Sequence, residues 1–142
     1  LQNALKMRSG INIQGGSVAQ DFELEKRLDN CLMEEAKDVI EGTGKKIDIN
    51  LKISNDQRTF GATLSNKISL KHGETGLPDD SININVNGSA GQSFCSFLAP
   101  GVTVTLEGDA NDYVGKGLSG ATISIKLSSH IKLTSLRRFS KH

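Results

Sequence analysis

A repeat of about 20 residues constrains this chain more than any other feature of its sequence. In each copy a short run of alternating apolar and polar residues is followed by a glycine and a small polar loop. The matching positions of the two copies are Ile82, Ile84, Val86 and Gly88, then Val102, Val104, Leu106 and Gly108. Such alternation is the period of a half-buried strand, so each copy predicts one short strand.

A third run passes through Ile123, Ile125 and Leu127, one residue later than strict repetition would place it. One short strand per repeat cannot bury its apolar face alone, so successive repeats must stack on one another. Stacked parallel strands with long returns are typical of a solenoid. We therefore predict a mainly β fold, a parallel β-helix, with about two helices in the N-terminal half.

The N-terminal half shows a helical period before it shows a strand. Over residues 23–41 the apolar residues recur at intervals of three and four, and a second helix is predicted over Gln57–Lys71. Between them Ile47, Ile49, Leu51 and Ile53 alternate as in a strand. The apolar residues of the two helices are Leu24, Leu28, Leu32, Ala36 and Val39, then Phe60, Leu64, Ile68 and Leu70.

Length and charge suggest one domain with two flanking segments. The 142 residues divide into a lead-in over 1–22, a domain over 23–127 in which the repeat stops early, and a basic, irregular tail over 128–142. A net charge of +1 favours neither a nucleic acid nor a membrane as partner. The sequence has no long apolar segment, and its first residues lack the apolar region of a signal peptide, so we expect no signal peptide and an intracellular protein. Because it starts on Leu1, we expect it to be an incomplete piece of a longer chain.

Glycines mark the corners of the predicted coil. Tight corners need positive φ, and closely packed neighbouring chains leave no room for side chains. The predicted structural corners are Gly88, Gly91, Gly101, Gly108, Gly115, Gly117 and Gly120. Asp109, Asn111 and Asp112 are predicted to cap loop amides, since their spacing does not fit the calcium loop of an EF-hand.

The segment Gly115–Gly120, GKGLSG, also matches the G-x-G-x-x-G pattern of nucleotide-binding proteins. That chemistry needs a strand before the glycines and a helix after them, whose N-terminus meets the pyrophosphate. Here a loop precedes and the strand-like ATISIKL follows, which favours a structural role. His72, His130 and His142 show no metal or triad spacing, so we predict no catalytic, cofactor-binding or metal-binding residue.

Two cysteines, Cys31 and Cys95, are far apart and lack the spacing of a metal or redox pair. Cys31 belongs to the apolar stripe of the first helix. A reactive thiol is the alternative, but the stripe favours core packing.

The run NGSAGQSFCSFLAPGVTVTLEGDANDYVGKGLSG resembles the C-terminal GXGXG domain of the glutamate synthase large subunit. The upstream LDNCLMEEAKDVIEG and ISNDQRTFGATLSNKI resemble the same family, so the likeness covers about residues 17–126. The family usually has Gly-Gly where this chain has Gly120-Ala121. The sequence of residues 108–120 is more similar to that of NAD(P)H-dependent members of the family than to that of ferredoxin-dependent members.

The resemblance implies a right-handed β-helix that is itself non-catalytic and packs between an amidotransferase domain and an FMN synthase domain. The parent enzyme would convert glutamine and 2-oxoglutarate to glutamate, with FMN and an iron–sulfur cluster bound outside this chain. A small NAD(P)H-oxidising subunit is a possible further partner, and the location would be the cytoplasm or a plastid. The alternative is a free-standing assembly or interaction subunit with the same fold.

Overall fold

The computed structural model describes residues 10, 15–16 and 19–128. The elements within them are α1 (Leu28–Glu35), α2 (Lys37–Ile40), β1 (Ile47–Ile53), α3 (Ala62–His72), β2 (Ile82–Ala90), β3 (Val102–Ala110) and β4 (Thr122–Lys126). Single 3-10 turns lie at Leu24–Lys26 and Gly73–Thr75. The four strands are parallel and form one sheet in the order β1-β2-β3-β4, with α1 and α2 before β1 and α3 between β1 and β2.

The strands and their register follow the repeat closely. Ile82 pairs with Val102 and Gly88 with Gly108, so the shift predicted from the sequence is confirmed between β2 and β3. The last step differs from the prediction. Val104, not Val102, pairs with Ile123, so the third unit is shorter than strict repetition by one residue rather than longer.

The predicted fold class is wrong. The described strands form one four-stranded parallel sheet with three helices, which is a small α/β domain and not a mainly β, right-handed parallel β-helix. Alternation and period specify the strands and their register, but they leave open what the returning chain does. Here the return from β1 to β2 contains the helix α3, and the later returns contain turns without a second strand.

The helices are shorter than predicted. The 23–41 segment divides into a 3-10 turn, α1 and α2, and α3 begins only after Gly61 and ends at His72, before Gly73. Leu24 and Leu70, both predicted to face the core, are 63% and 80% exposed. Cys31 is also exposed, so its predicted packing in the core is wrong.

One face of the sheet and the helices enclose a single core. Isoleucines, valines and Leu106 of β1, β2 and β3 alternate toward this core. Phe60, between β1 and α3, stacks on Phe94, which follows β2, with ring centroids 5.4 Å apart. The opposite face carries polar residues, as expected for strands that are half buried. The fully buried large side chains are Phe60, Phe94, Leu32, Ile49, Leu64, Ile68, Ile82, Ile84, Leu98, Leu106, Val102 and Val104.

Most of the predicted lead-in and all of the predicted tail except Ser128 lie outside the described residues. The domain boundaries at residues 22 and 127 therefore stay predictions, as do the roles of His130 and His142. In the described part, no helix combines the length and the apolar character needed to cross a membrane.

Candidate functional site

The glycine-rich stretch forms two returns that lie directly against each other. The first return, residues 91–101, follows β2, and the second return, residues 111–121, follows β3. Backbone hydrogen bonds join them: the Ser93 amide donates to Asp112 O at 2.8 Å and the Phe97 amide to Lys116 O at 2.8 Å. In the opposite direction the Gly115 amide donates to Phe94 O at 2.9 Å. The repeat is thus continued through the loops and not only through the strands.

In the middle of both returns, over residues 93–97 and 113–117, every second residue has a left-handed backbone. In the first return φ is 61° at Ser93, 58° at Cys95 and 55° at Phe97. The matching residues of the second return are Tyr113, Gly115 and Gly117, with φ of 61°, 62° and 69°. A side chain in this conformation costs roughly 1–2 kcal/mol, so glycine relieves the strain but the turn forms without it. The G-x-G sequence pattern of Gly115 and Gly117 therefore marks a left-handed backbone conformation that Cys95 and Phe97 also adopt.

Gly88 and Gly108 mark a different requirement, a direct contact between neighbouring strands. A Cβ on Gly88 would lie 2.2 Å from the carbonyl oxygen of Ile53, and a Cβ on Gly108 would lie 1.9 Å from that of Gly88. Real Cβ atoms do not approach backbone oxygens this closely, and both residues have positive φ, 132° and 150°. Only glycine fits this column.

The other predicted corners divide by their position in the stack. Cβ atoms on Gly91 and Gly101 would meet carbonyl oxygens of the preceding layer, Asn55 O at 2.6 Å and Leu77 O at 2.5 Å. In the second return the contacts are with side chains: Phe97 at 2.5 Å from Gly117, Pro100 at 2.9 Å from Gly120 and Ile123 at 3.1 Å from Gly115. These distances support the predicted structural role, which stays a proposal.

The nucleotide-like segment Gly115–Gly120 has a strand after it. It leads through Ala121 into β4, so no helix N-terminus faces the glycines at this place. The ammonium of Lys116, the residue best placed to meet a phosphate, lies 5.2 Å from the centre of the Tyr113 ring. The geometry therefore favours the packing interpretation of these glycines over the nucleotide interpretation.

Two of the three predicted capping residues, Asn111 and Asp109, each accept a hydrogen bond. Asn111 Oδ1 accepts the Asp112 amide at 2.7 Å, and Asp109 Oδ1 accepts the hydroxyl of Ser89 at 2.6 Å. The second bond links β2 to β3 at matching positions of the repeat. Among residues 10, 15–16 and 19–128 the structure shows no group of three metal-ligating side chains. The predicted capping roles remain predictions, supported at Asn111 by this contact.

The most buried carboxylate, Asp29 on α1, was not predicted. It is 5% exposed, and its oxygens accept the amides of Gly61 and Thr63 at 2.8 Å and that of Leu64 at 3.4 Å. Asp29 thereby caps the N-terminus of α3 from a different element. One sequence signal was available, because Asp29 lies on the same helical face as Leu32 and Ala36 and thus carries a charge into the apolar stripe.

Together Arg27 and Asp29 define a covered end of the stack. Arg27 Nη1 donates to Asp56 O at 3.3 Å and to Arg58 O at 3.5 Å, so α1 lies against the chain between β1 and α3. At the other end the second return and β4 have exposed apolar residues, and no described element covers them. These residues are Tyr113, Val114, Leu118, Ile125 and Leu127, with 36–60% exposure. We call the end of the strand stack that carries these residues the open end.

The two thiols differ in environment. Cys95 is buried beneath the second return, and burial raises the pKa of its thiol far above the usual range. Cys31 is exposed on α1. Cys95 is therefore a packing residue.

The hydroxyl of Ser65 on α3 holds the first return in place, since it donates to Gly61 O at 2.7 Å and accepts the Ala99 amide at 3.0 Å.

The outer, polar face of the sheet holds a shallow depression of about 390 Å³. Asn85 donates to Asn50 Oδ1 at 3.2 Å across the β1–β2 pair. Lys52, Thr105 and Lys126 line the same depression. The side chains are those of a solvated sheet face and do not converge on one point.

Comparison with known proteins identifies the family. A family model described as the GXGXG motif matches residues 29–138. The NADH glutamate synthase of Schizosaccharomyces pombe is 60% identical over 106 residues, which are 75% of this chain and 5% of that protein. The large chain of the NADPH glutamate synthase of Bacillus subtilis is 44% identical over 110 residues, 77% of this chain and 7% of that protein.

A ferredoxin-dependent relative is more distant. The chloroplastic ferredoxin-dependent glutamate synthase 2 of Arabidopsis thaliana is 40% identical over 100 residues, 69% of this chain and 6% of that protein. The chain thus spans only about a twentieth of the length of the relatives it matches. Its glycine-rich stack and these matches agree: the chain belongs to the GXGXG motif family and resembles the GXGXG domain of glutamate synthases.

Proposed function

We propose that this chain is a structural, non-catalytic domain of a glutamate synthase. The observation that carries the proposal is 60% identity with a short stretch of a much longer glutamate synthase. The parent protein would form glutamate from glutamine and 2-oxoglutarate, with FMN and an iron–sulfur cluster held by its other domains. The cytoplasm or a plastid is the proposed location.

The geometry supports a role in support and docking rather than chemistry. Gly88 and Gly108 hold neighbouring strands so close that no side chain fits, and Asp29 fixes α3 to α1. The domain therefore has a rigid backbone core that resists deformation. We propose that it lies between the amidotransferase domain and the FMN synthase domain and fixes their separation.

The length of the polypeptide that carries this chain tests the proposal most simply. We expect an antibody against residues 108–120 to detect a protein of the relatives' length that co-purifies with FMN. Detection of a short protein without an FMN-containing partner would overturn the proposal and support the alternative, a free-standing assembly subunit.

A glycine variant separates a structural role from a catalytic one. In the parent enzyme we expect Gly108→Ala to lower the yield of folded protein and the coupling of glutamine hydrolysis to glutamate formation. Glutamine hydrolysis and ammonia-dependent synthesis, each measured per bound FMN, should persist. Gly44→Ala is the matched control, because Gly44 also has positive φ but no atom within 4 Å of its added Cβ. Selective loss of one half-reaction in Gly108→Ala would indicate a catalytic role.

The electron donor is proposed to be NADH or NADPH. The identity is 60% with the NADH enzyme of S. pombe and 40% with the ferredoxin-dependent enzyme of A. thaliana. A small subunit that oxidises the nicotinamide is a possible partner. Glutamate formation by the purified parent enzyme with NADH, NADPH or reduced ferredoxin in turn would decide between the donors. Activity with reduced ferredoxin alone would contradict the proposal.

A further inference from the structure

Asn87 and Gly88 form the one Asn-Gly pair in the sequence. An asparagine in such a pair is chemically labile, because the backbone nitrogen of the next residue can attack its side-chain amide. Glycine has no side chain to obstruct that attack. Asn87 lies near the C-terminal end of β2, with its side chain exposed on the polar face of the sheet. The pair is therefore a candidate site of covalent modification.

Packing of the strands prevents any other residue from replacing the glycine. A Cβ on Gly88 would lie 2.2 Å from the carbonyl oxygen of Ile53, and its φ is 132°. Both features restrict this position to glycine. The contact between β1 and β2 thus requires the residue type that makes Asn87 labile.

Strand pairing opposes the reaction in the folded sheet. β2 lies between β1 and β3, and Gly88 pairs in register with Ile53 on one side and Gly108 on the other. The ladder fixes an extended backbone and engages its amides in hydrogen bonds. The nitrogen of Gly88 can attack only after it loses its proton and turns toward Cγ of Asn87, which disrupts this pairing. The reaction therefore requires β2 to open locally.

We propose that Asn87–Gly88 is a deamidation site that the folded sheet protects and that reacts when β2 opens. The deprotonated nitrogen of Gly88 forms a bond to Cγ of Asn87, the bond from Cγ to Nδ2 breaks, and ammonia leaves with the proton. The product is a cyclic succinimide. Water opens this ring at either carbonyl, which gives aspartate or isoaspartate at position 87.

The two products differ in whether β2 can form again. Aspartate keeps the normal backbone and lies between its register partners Lys52 and Glu107, one of which attracts it and one of which repels it. Isoaspartate adds one carbon to the main chain, so Gly88 and the residues after it no longer match their partners. Deamidation thereby makes the opening of β2 irreversible. This inference goes beyond the proposed function and does not depend on it.

Peptide mapping tests the protection. The protein is incubated with a reductant in mildly alkaline buffer, either native or in concentrated urea, and is then digested with trypsin. Residues 72–116 form one tryptic peptide, in which fragmentation locates the deamidated residue. We expect Asn87 to deamidate at least about a hundredfold more slowly in the native protein than in urea. Asn85 is the internal control, since Val86 obstructs the attack and both samples should keep its amide.

Refolding tests the consequence for the sheet. Protein held in urea for increasing times is diluted into native buffer, and circular dichroism measures the folded fraction. We expect this fraction to fall at the rate at which isoaspartate forms. The matched variant Asn87→Gln keeps an amide but must close a larger ring, which forms more slowly, so its refolding should not depend on time in urea. Asn87→Asp adds the charge without the extra carbon and should also refold.

Three results would overturn the proposal. The first is equal deamidation of Asn87 in the native protein and in urea, which would show that strand pairing gives no protection. The second is an Asn87 that keeps its amide even in urea. The third is an equal loss of refolding in Asn87→Gln and in the unmodified protein. None of these results bears on the proposed role in a glutamate synthase, which is tested by separate measurements.

Discussion

The two ends of the strand stack have matching backbones but different surroundings. At the covered end, α1 lies against the chain after β1, where Arg27 donates to backbone carbonyls and Asp29 accepts three amides. At the open end, the second return repeats the left-handed turns of the first but exposes Tyr113, Val114 and Leu118. The comparison shows that the repeat specifies the backbone, whereas burial depends on what covers each layer.

The largest effect is expected where two layers touch through glycine. Gly108→Ala places a Cβ 1.9 Å from Gly88 O, so the strands must separate or the variant must unfold. We expect a loss of at least about 3 kcal/mol in the free energy of unfolding, measured by urea denaturation. Gly44→Ala, with positive φ but no contact, should lose only about 1 kcal/mol. Similar losses in both variants would show that φ, and not the contact, makes Gly108 necessary.

A smaller but substantial effect is expected at the covered end. Asp29→Ala removes the acceptor for the amides of Gly61, Thr63 and Leu64, and these lose their partner in a largely buried place. We expect destabilisation of about 2–3 kcal/mol in the same assay. The matched change is Asp109→Ala on β3, which removes an exposed hydrogen bond from Ser89. It should lower the free energy of unfolding by about 0.5 kcal/mol or less. Equal losses would contradict the difference between the two carboxylates.

At the open end, the glycine of the G-x-G pattern should tolerate a side chain. The new Cβ of Gly115→Ala would come closest to the flexible end of Ile123, at 3.1 Å, and Cys95 already adopts the same backbone conformation in the first return. We expect a loss of about 1 kcal/mol, the cost of a left-handed side chain. A loss as large as that of Gly108→Ala would mean that another chain segment covers the second return tightly.

The smallest effect concerns the ion pair between Lys71 and Glu41, which joins the end of α3 to the end of α2. The hydrogen bond and the charge of Lys71 lower the pKa of Glu41. A carboxylate with a lowered folded-state pKa stabilises the fold above its unfolded pKa and loses that contribution as the pH falls through the folded pKa. Glu41→Gln should thus slightly lower the melting temperature at neutral pH and leave it unchanged in strong acid. An equal difference at both pH values would exclude the charge as the cause.

The sequence predicted strands and register far better than it predicted architecture. Alternation gave all four strands, and the repeat gave the pairing of Ile82 with Val102 and of Gly88 with Gly108. Those features are local or periodic, so they can be read from a single sequence. The solenoid prediction failed because periodicity does not specify whether a return contains a strand, a helix or turns.

Other errors arose where tertiary contacts override local pattern. Leu70 fits the helical period, yet α3 turns that position outward, and Cys31 likewise lies on the exposed side of α1. The role of Asp29 depends on amides more than thirty residues away, which no local pattern reveals. For the glycines, the sequence indicated close packing but not which atoms are in contact. Gly88 and Gly108 meet carbonyl oxygens, whereas Gly115 and Gly117 meet side chains.

Hydrogen exchange at matched amides tests the difference between the two ends most directly. The Ser93 and Phe97 amides donate to Asp112 O and Lys116 O, whereas the matching amides of Tyr113 and Gly117 have no backbone acceptor within the described residues. We expect Ser93 and Phe97 to exchange at least about a hundredfold more slowly than Tyr113 and Gly117. Equal protection of the two pairs would contradict an open end.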